Sequence, residues 1–123
     1  MTVEVAILFP MLIVITLGGV QMAMWFHARD LCQASAQAGV RAARADGAPA
    51  GAGTRAAVDY MKRTGAGSVD NPSADESGST ATTVRVHVRG NVPSLVPLPG
   101  ISFTIDQSAS AARERFTTTA GPP

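Results

Sequence analysis

From Val5 to Phe26 the chain reads VAILFPMLIVITLGGVQMAMWF, and no residue in this run carries a charge. Its only clearly polar side chains are Thr16 and Gln21. As an α-helix rising about 1.5 Å per residue, the run is roughly 33 Å long, enough to cross a hydrocarbon core of about 30 Å. A helix satisfies its own backbone hydrogen bonds, so it is the structure that such a run takes in lipid. Trp25, His27 and Arg29 follow in an aromatic-then-charged order that suits a membrane–water interface. A single transmembrane segment over residues 5–26 is therefore expected, with membrane lipid as its surroundings.

A cleaved secretory signal is the rival reading of such a run. Its apolar stretch is usually about 7–15 residues and ends at a small-x-small site. Here the helical pattern does not stop where the apolar run ends. Residues 28–46, ARDLCQASAQAGVRAARAD, continue as an Ala-rich helix without proline. Leu31, Ala34, Ala38 and Ala42 fall near one stripe with Val40 beside it, while Arg29, Gln33, Gln37, Arg41 and Arg44 lie elsewhere. A stop is expected near Asp46-Gly47, before Pro49. One helix over residues 1–46, roughly 60 Å or more long, is too long to be buried by a domain of this size. Half of it must serve a membrane or a helical assembly.

The remainder has little bulk. Aromatics make up 5% of the 123 residues, and only Tyr60, Phe103 and Phe116 lie beyond the apolar run. So few large side chains allow only a thin core. Residues 47–53, GAPAGAG, read as a flexible linker. Thr54 is positioned to cap a short helix, TRAAVDYMKRT, with Ala57, Val58 and Met61 on its apolar side. Residues 68–81 are polar and rich in turn formers, and read as an exposed loop. Val84, Val86 and Val88 alternate with Arg85, His87 and Arg89, the period of a strand with one buried face. Ile101, Phe103 and Ile105 alternate likewise with polar residues, in a strand that continues toward Ala109 and Ala111. The link between the strands carries Pro93, Pro97 and Pro99, and its Leu95, Val96 and Leu98 are exposed unless they pack on something. The fold class is thus α+β: a long N-terminal transmembrane helix, then a short helix and a small antiparallel β-sheet packed on the helix's C-terminal half. Residues 54–116 form the small domain, and 117–123 a disordered tail.

The formal net charge of +1 provides no field for nucleic acid. The single cysteine, Cys32, leaves no intramolecular disulfide and no cysteine metal cluster. It reads as a small, half-buried side chain ahead of lipidation or cross-linking. His27 and His87 read as surface residues. Asp70, Asp75 and Glu76 lack the spacing of a calcium loop. No phosphate loop, nucleophile elbow or zinc motif occurs. No enzyme, cofactor or metal is expected.

Two features of the helix point to assembly. A carboxylate beside a membrane span is costly unless paired, which makes Glu4 a candidate recognition residue; the plainer reading is a charge that favours the helix N-terminus. Pro10 removes one helical hydrogen bond and crowds the preceding turn, giving either a mild kink or a point of geometric change. Gly18-Gly19 adds a second loose point, or a place for close helix packing.

With Glu4, the apolar stretch through Pro10, Trp25, Arg29, and the Ala-rich continuation ending in Ala38, Arg41 and Ala42, the first 46 residues resemble the TadE-like pilin module, found in minor subunits of bacterial tight-adherence pili. The resemblance implies synthesis as a prepilin with a short basic leader, removed after a glycine by a membrane aspartic peptidase. It further implies that Glu4 contacts the terminal amine of a neighbouring subunit, a pairing an apolar core requires. No leader or glycine precedes Met1, so Met1 is the first mature residue, the start lies inside a longer frame, or the subunit is unprocessed. Arg29, Arg41 and Arg44 alone would place the C-terminal side in the cytoplasm. A basic leader reverses this, and the resemblance implies a cytoplasmic N-terminus and an extracytoplasmic tail. The expected role is a minor pilin or pseudopilin in pilus assembly or adhesion, partnered by other pilin subunits, the assembly machinery and a prepilin peptidase. The alternative is a permanently anchored single-pass protein whose tail binds an envelope or secretion-machine partner.

Overall fold

The computed structural model describes residues 2–65, 67–95 and 102–113. It has two helices, α1 (Thr2–Arg44) and α2 (Ala52–Thr64), and three strands, β1 (Asp70–Asp75), β2 (Thr83–Val92) and β3 (Phe103–Ala112). The strands form one antiparallel sheet in the order β1-β2-β3. The α+β class and the packing of the sheet on the C-terminal half of α1 match the sequence reading. Val96, Leu98, Ile101, Phe116 and the 117–123 tail lie outside the described residues.

α1 is a single unbroken helix, and Pro10 does not divide it. Its two halves live in different surroundings. Residues 2–20 are exposed throughout, whereas the buried residues run from Ala28 to Ala43. The buried set is Ala28, Leu31, Cys32, Ser35, Ala36, Gly39, Val40 and Ala43. This differs from the expected stripe, since Ala34, Ala38 and Ala42 are only half-buried. The stripe is displaced because α1 is covered on two sides, by α2 and by the sheet, so its buried arc is wide.

Small residues set the distance between the helices. A Cβ on Gly39 would lie 2.7 Å from the Gly53 carbonyl oxygen and 3.0 Å from Val86 Cγ1. Gly53, in the first turn of α2, is equally tight, with the Ala43 methyl 2.9 Å from its own would-be Cβ. Ser35 crosses the same contact. Fully buried, it donates to the Ala57 carbonyl at 2.8 Å. That bond satisfies a hydroxyl which would otherwise cost about 1–3 kcal/mol to bury.

α2 begins at Ala52, so Thr54 sits inside the helix and the 47–53 linker is shorter than expected. Gly51 occupies the N-cap with φ 77°, a left-handed conformation that favours glycine. It has no side chain to offer as a cap. Instead Glu76, from the turn after β1, accepts a hydrogen bond from the Gly53 amide at 3.2 Å. A carboxylate from elsewhere in the chain thus takes the place of the local cap and complements the helix dipole.

β1 replaces part of the loop expected over 68–81. Its sequence, DNPSAD, has almost no intrinsic strand preference. It pairs with β2 at the sheet edge, with a register irregularity between Asp70 and Ser73 and Asn71 at φ 49°. An edge position with a bulge tolerates Pro72, which cannot donate. β2 alternates as expected, and Val84, Val86 and Val88 are fully buried. It runs on through Gly90, Asn91 and Val92, residues expected in the link. Gly90 is needed because a Cβ there would collide with the Val69 side chain. On the outer face, Arg89 pairs with Asp106 directly across the β2–β3 ladder at 3.1 Å, an exposed pair of modest worth.

The thin core expected from composition is what forms. It joins α1, α2 and the sheet through valines, alanines, Leu31, Met61 and Ile105, with Phe103 and Trp25 at its margin. The packed half of α1 is one wall of this core.

Candidate functional site: a bare apolar helix beneath a packed head

The feature that sets this chain apart is the outer half of α1. Its most apolar eighteen-residue window has a mean hydropathy of 2.3 and none of it is buried. Apart from Leu95, every large hydrophobic side chain that stands exposed among the described residues lies on α1 between Val3 and Phe26. Val3 is 71% exposed and Val14 68%. Burying one such side chain is worth about 1.5–3 kcal/mol, and net domain stability is only about 5–15 kcal/mol. Leaving a surface of this size in water is costly, and lipid or other helices are the covers that would relieve that cost.

The two polar side chains of the uncharged run, Thr16 and Gln21, are each hydrogen-bonded. The Thr16 hydroxyl donates back to the Leu12 carbonyl at 2.8 Å, the usual solution for a hydroxyl in an apolar setting. Gln21 is bound twice. Its amide nitrogen donates to the Pro93 carbonyl at 3.3 Å, and its amide oxygen accepts from the Leu95 N–H at 2.9 Å. One side chain therefore ties the connection after β2 to the helix. Sequence reasoning noted Gln21 as polar but gave it no role. An isolated amide within an uncharged run was the clue to one.

The residues singled out from sequence occupy separate levels of α1. Glu4 lies exposed in the first turn and Pro10 is exposed one and a half turns later. Gly18 and Gly19 face open space, with nothing within 4 Å of a would-be Cβ. Within one chain they pack against nothing. Trp25 stands edge-on to Phe26, with ring centroids 5.2 Å apart at 79°. The Arg29 guanidinium lies 5.9 Å from the Trp25 ring centre, a cation–π placement. Trp25 is also half-buried against the head, while His27 is exposed. Met24 and Trp25 pack on the core and Gln21 holds the connection, so the end of the apolar run is part of the folded head.

The remaining candidates have structural surroundings. Cys32 is fully buried, and burial raises its thiol to about 11. It is therefore a poor nucleophile at neutral pH. Asp75 accepts hydrogen bonds from the Ser77 hydroxyl and then its amide, which hold its carboxyl below the usual carboxylate value. Glu76 is used by the α2 N-terminus. His87 lies 3.8 Å from Asp106 on the outer sheet face.

Comparison with known families finds a match on α1. Residues 1–41 fit the family model described as TadE-like protein. The match covers a third of the chain, and it falls on the same helix that carried the resemblance in the sequence. No curated protein and no solved structure matches the chain. The helix and the family together fit a single-pass membrane protein related to pilus components.

Proposed function

We propose that this chain is a minor pilin or pseudopilin subunit of a tight-adherence, type IV-like pilus. It inserts in the bacterial cytoplasmic membrane through the outer half of α1, with its N-terminus cytoplasmic and its head extracytoplasmic. It then joins or primes the pilus and contributes to assembly or adhesion. Its partners are other pilin subunits, the assembly machinery, and a prepilin peptidase acting on a basic leader. Its role is structural rather than enzymatic. The observation that carries this reading is that the TadE-like match coincides with a helix bare along one half and packed along the other.

In this reading Glu4 has the decisive part. Exposed at the start of the helix, it would be an unpaired charge in a packed apolar filament core. Pairing with the terminal amine of a neighbouring subunit removes that cost. Pro10 allows the helix to adjust between lipid and filament, and Gly18 and Gly19 allow close approach of a second helix. The test is Glu4→Ala, with Glu4→Gln beside it, followed in the alkali-resistant membrane fraction and in sheared filaments. Both variants should insert normally and be lost from filaments. Normal entry of Glu4→Ala into filaments would remove the role assigned to Glu4. Loss of both variants from the membrane fraction would instead count against the insertion step.

A further inference from the structure

The lower edge of the head meets α1 within the apolar run, at the end of its bare stretch. The connection after β2 reaches the helix at Gln21, where Pro93 and Leu95 are bound by its amide. Two open apolar grooves flank this point. One, of about 470 Å³, lies against Met22, Trp25, Phe26 and Phe103. The other, of about 300 Å³, lies against Val14, Leu17, Leu95 and Phe103. Leu95 is the one large exposed hydrophobic residue among the described residues that is not on α1. The sequence has no charged residue between Arg89 and Asp106.

Length then decides where this edge must sit. Crossing about 30 Å of hydrocarbon takes about 20 helical residues. Exposed apolar side chains continue to Val20, Met22 and Phe26, so a span that covers them reaches the level of Gln21 wherever it begins. A span that starts just after the first charge, Glu4, ends near Met24, which places Gln21 about 5 Å inside the hydrocarbon. Tilting the helix uses more residues per unit depth and sinks the edge further. No placement that covers the exposed residues holds the lower edge of the head clear of the bilayer.

From these observations we infer that the lower edge of the head, formed by Leu95 and Phe103 beside Gln21, is a second membrane-contacting element that lies among the upper acyl chains of the lipid. The inference rests on α1 being a membrane span. The chemistry of the edge fits. The Gln21 amide and the backbone groups of Pro93 and Leu95 satisfy one another, as irregular backbone must where water is scarce. Proline at 93 removes a donor that would otherwise need a partner. The first charged group along α1 beyond the edge is Arg29, two turns above Gln21, at the level of headgroups and water.

The test uses the full chain in vesicles of phosphatidylcholine and phosphatidylglycerol. Leu95→Cys, Leu12→Cys and Ser77→Cys are each made with Cys32→Ala and labelled with a polarity-sensitive fluorophore. Lipids brominated at shallow or deep acyl positions serve as quenchers. The label at 95 should emit to the blue and lose most of its fluorescence to shallow bromines. The label at 12 should be quenched by deep bromines, and the label at 77 should emit as in water. Quenching at 12 with a water-like label at 95 overturns the inference and leaves the span intact. Blue emission at 95 without lipid quenching also overturns it, and points to a second copy of the chain as the cover. Absence of quenching at 12 overturns the span itself. Trp25, the sole tryptophan, gives the same reading in the unsubstituted chain: shallow bromines should quench it more than deep ones.

Discussion

At the residue scale, two glycines on different helices set how closely α1 and α2 pack. Gly39 and Gly53 let α2 lie directly on α1, and a methyl on Gly39 would face a backbone oxygen at 2.7 Å that has no rotamer to turn. Gly39→Ala gains about 1 kcal/mol in helix preference but forces a shift costing about 1–3 kcal/mol. A net loss of stability is expected, read as a lowered midpoint of thermal unfolding in detergent. Gly18→Ala has no such conflict within the chain and should leave that midpoint unchanged or raise it. If Gly39→Ala proves as stable as the parent, the tight crossing is not a constraint. Nothing in the sequence singles out Gly39 among the small residues of AQAGVRAARA. Its need is created by Gly53, which the helical period of α1 does not encode. Cys32 is a milder case: the sequence reads it as half-buried, and with α2 and the sheet both packed on α1 it is fully buried.

At the scale of elements, the two ends of legibility are β2 and β1. β2 announces itself through three valines on one face. β1 is invisible because its residues prefer turns; it exists because β2 has a free edge beside it and Glu76 anchors the following turn to α2. The start of α2 was misplaced for the same reason. A local Thr cap is a short-range pattern, whereas the cap in use comes from a residue more than twenty positions away. Glu76→Ala should therefore cost about 1 kcal/mol and weaken protection of the Gly53 amide in hydrogen exchange. Glu76→Gln keeps an acceptor and should recover most of it. Equal protection of Gly53 in the parent and in Glu76→Ala would show that the carboxylate does not act as the cap.

For the whole molecule, the division of α1 into a bare half and a packed half was readable in outline from charge and hydropathy. Where one half gives way to the other was not. The apolar run ends at Phe26, yet the head begins at Gln21, because the connection after β2 folds back along the helix. Sequence pattern marks where charges resume, and only the fold shows how far the head reaches. The bare half makes a direct prediction. Leu8 and Leu12 are exposed, one turn apart, and each replacement by arginine near mid-span costs about 2.5–3.5 kcal/mol of insertion. The pair Leu8→Arg, Leu12→Arg should shift the protein out of the alkali-resistant membrane fraction. Its head should keep a normal unfolding midpoint, since neither residue touches the core. Full retention of the pair in that fraction would argue against the outer half of α1 as the anchor.

α1 continues from Thr2 to Arg44 without a joint, and this has a mechanical consequence. The stretch from Gln21 to Arg44 reaches about 35 Å. If the bare half spans a membrane as proposed, a lean of about 20°, ordinary for a membrane helix, swings the far end sideways by about 12 Å. The head cannot tumble independently of its anchor. It works as the pointer of a lever, so bilayer thickness or a neighbour leaning on the shaft sets where the outer sheet face comes to rest.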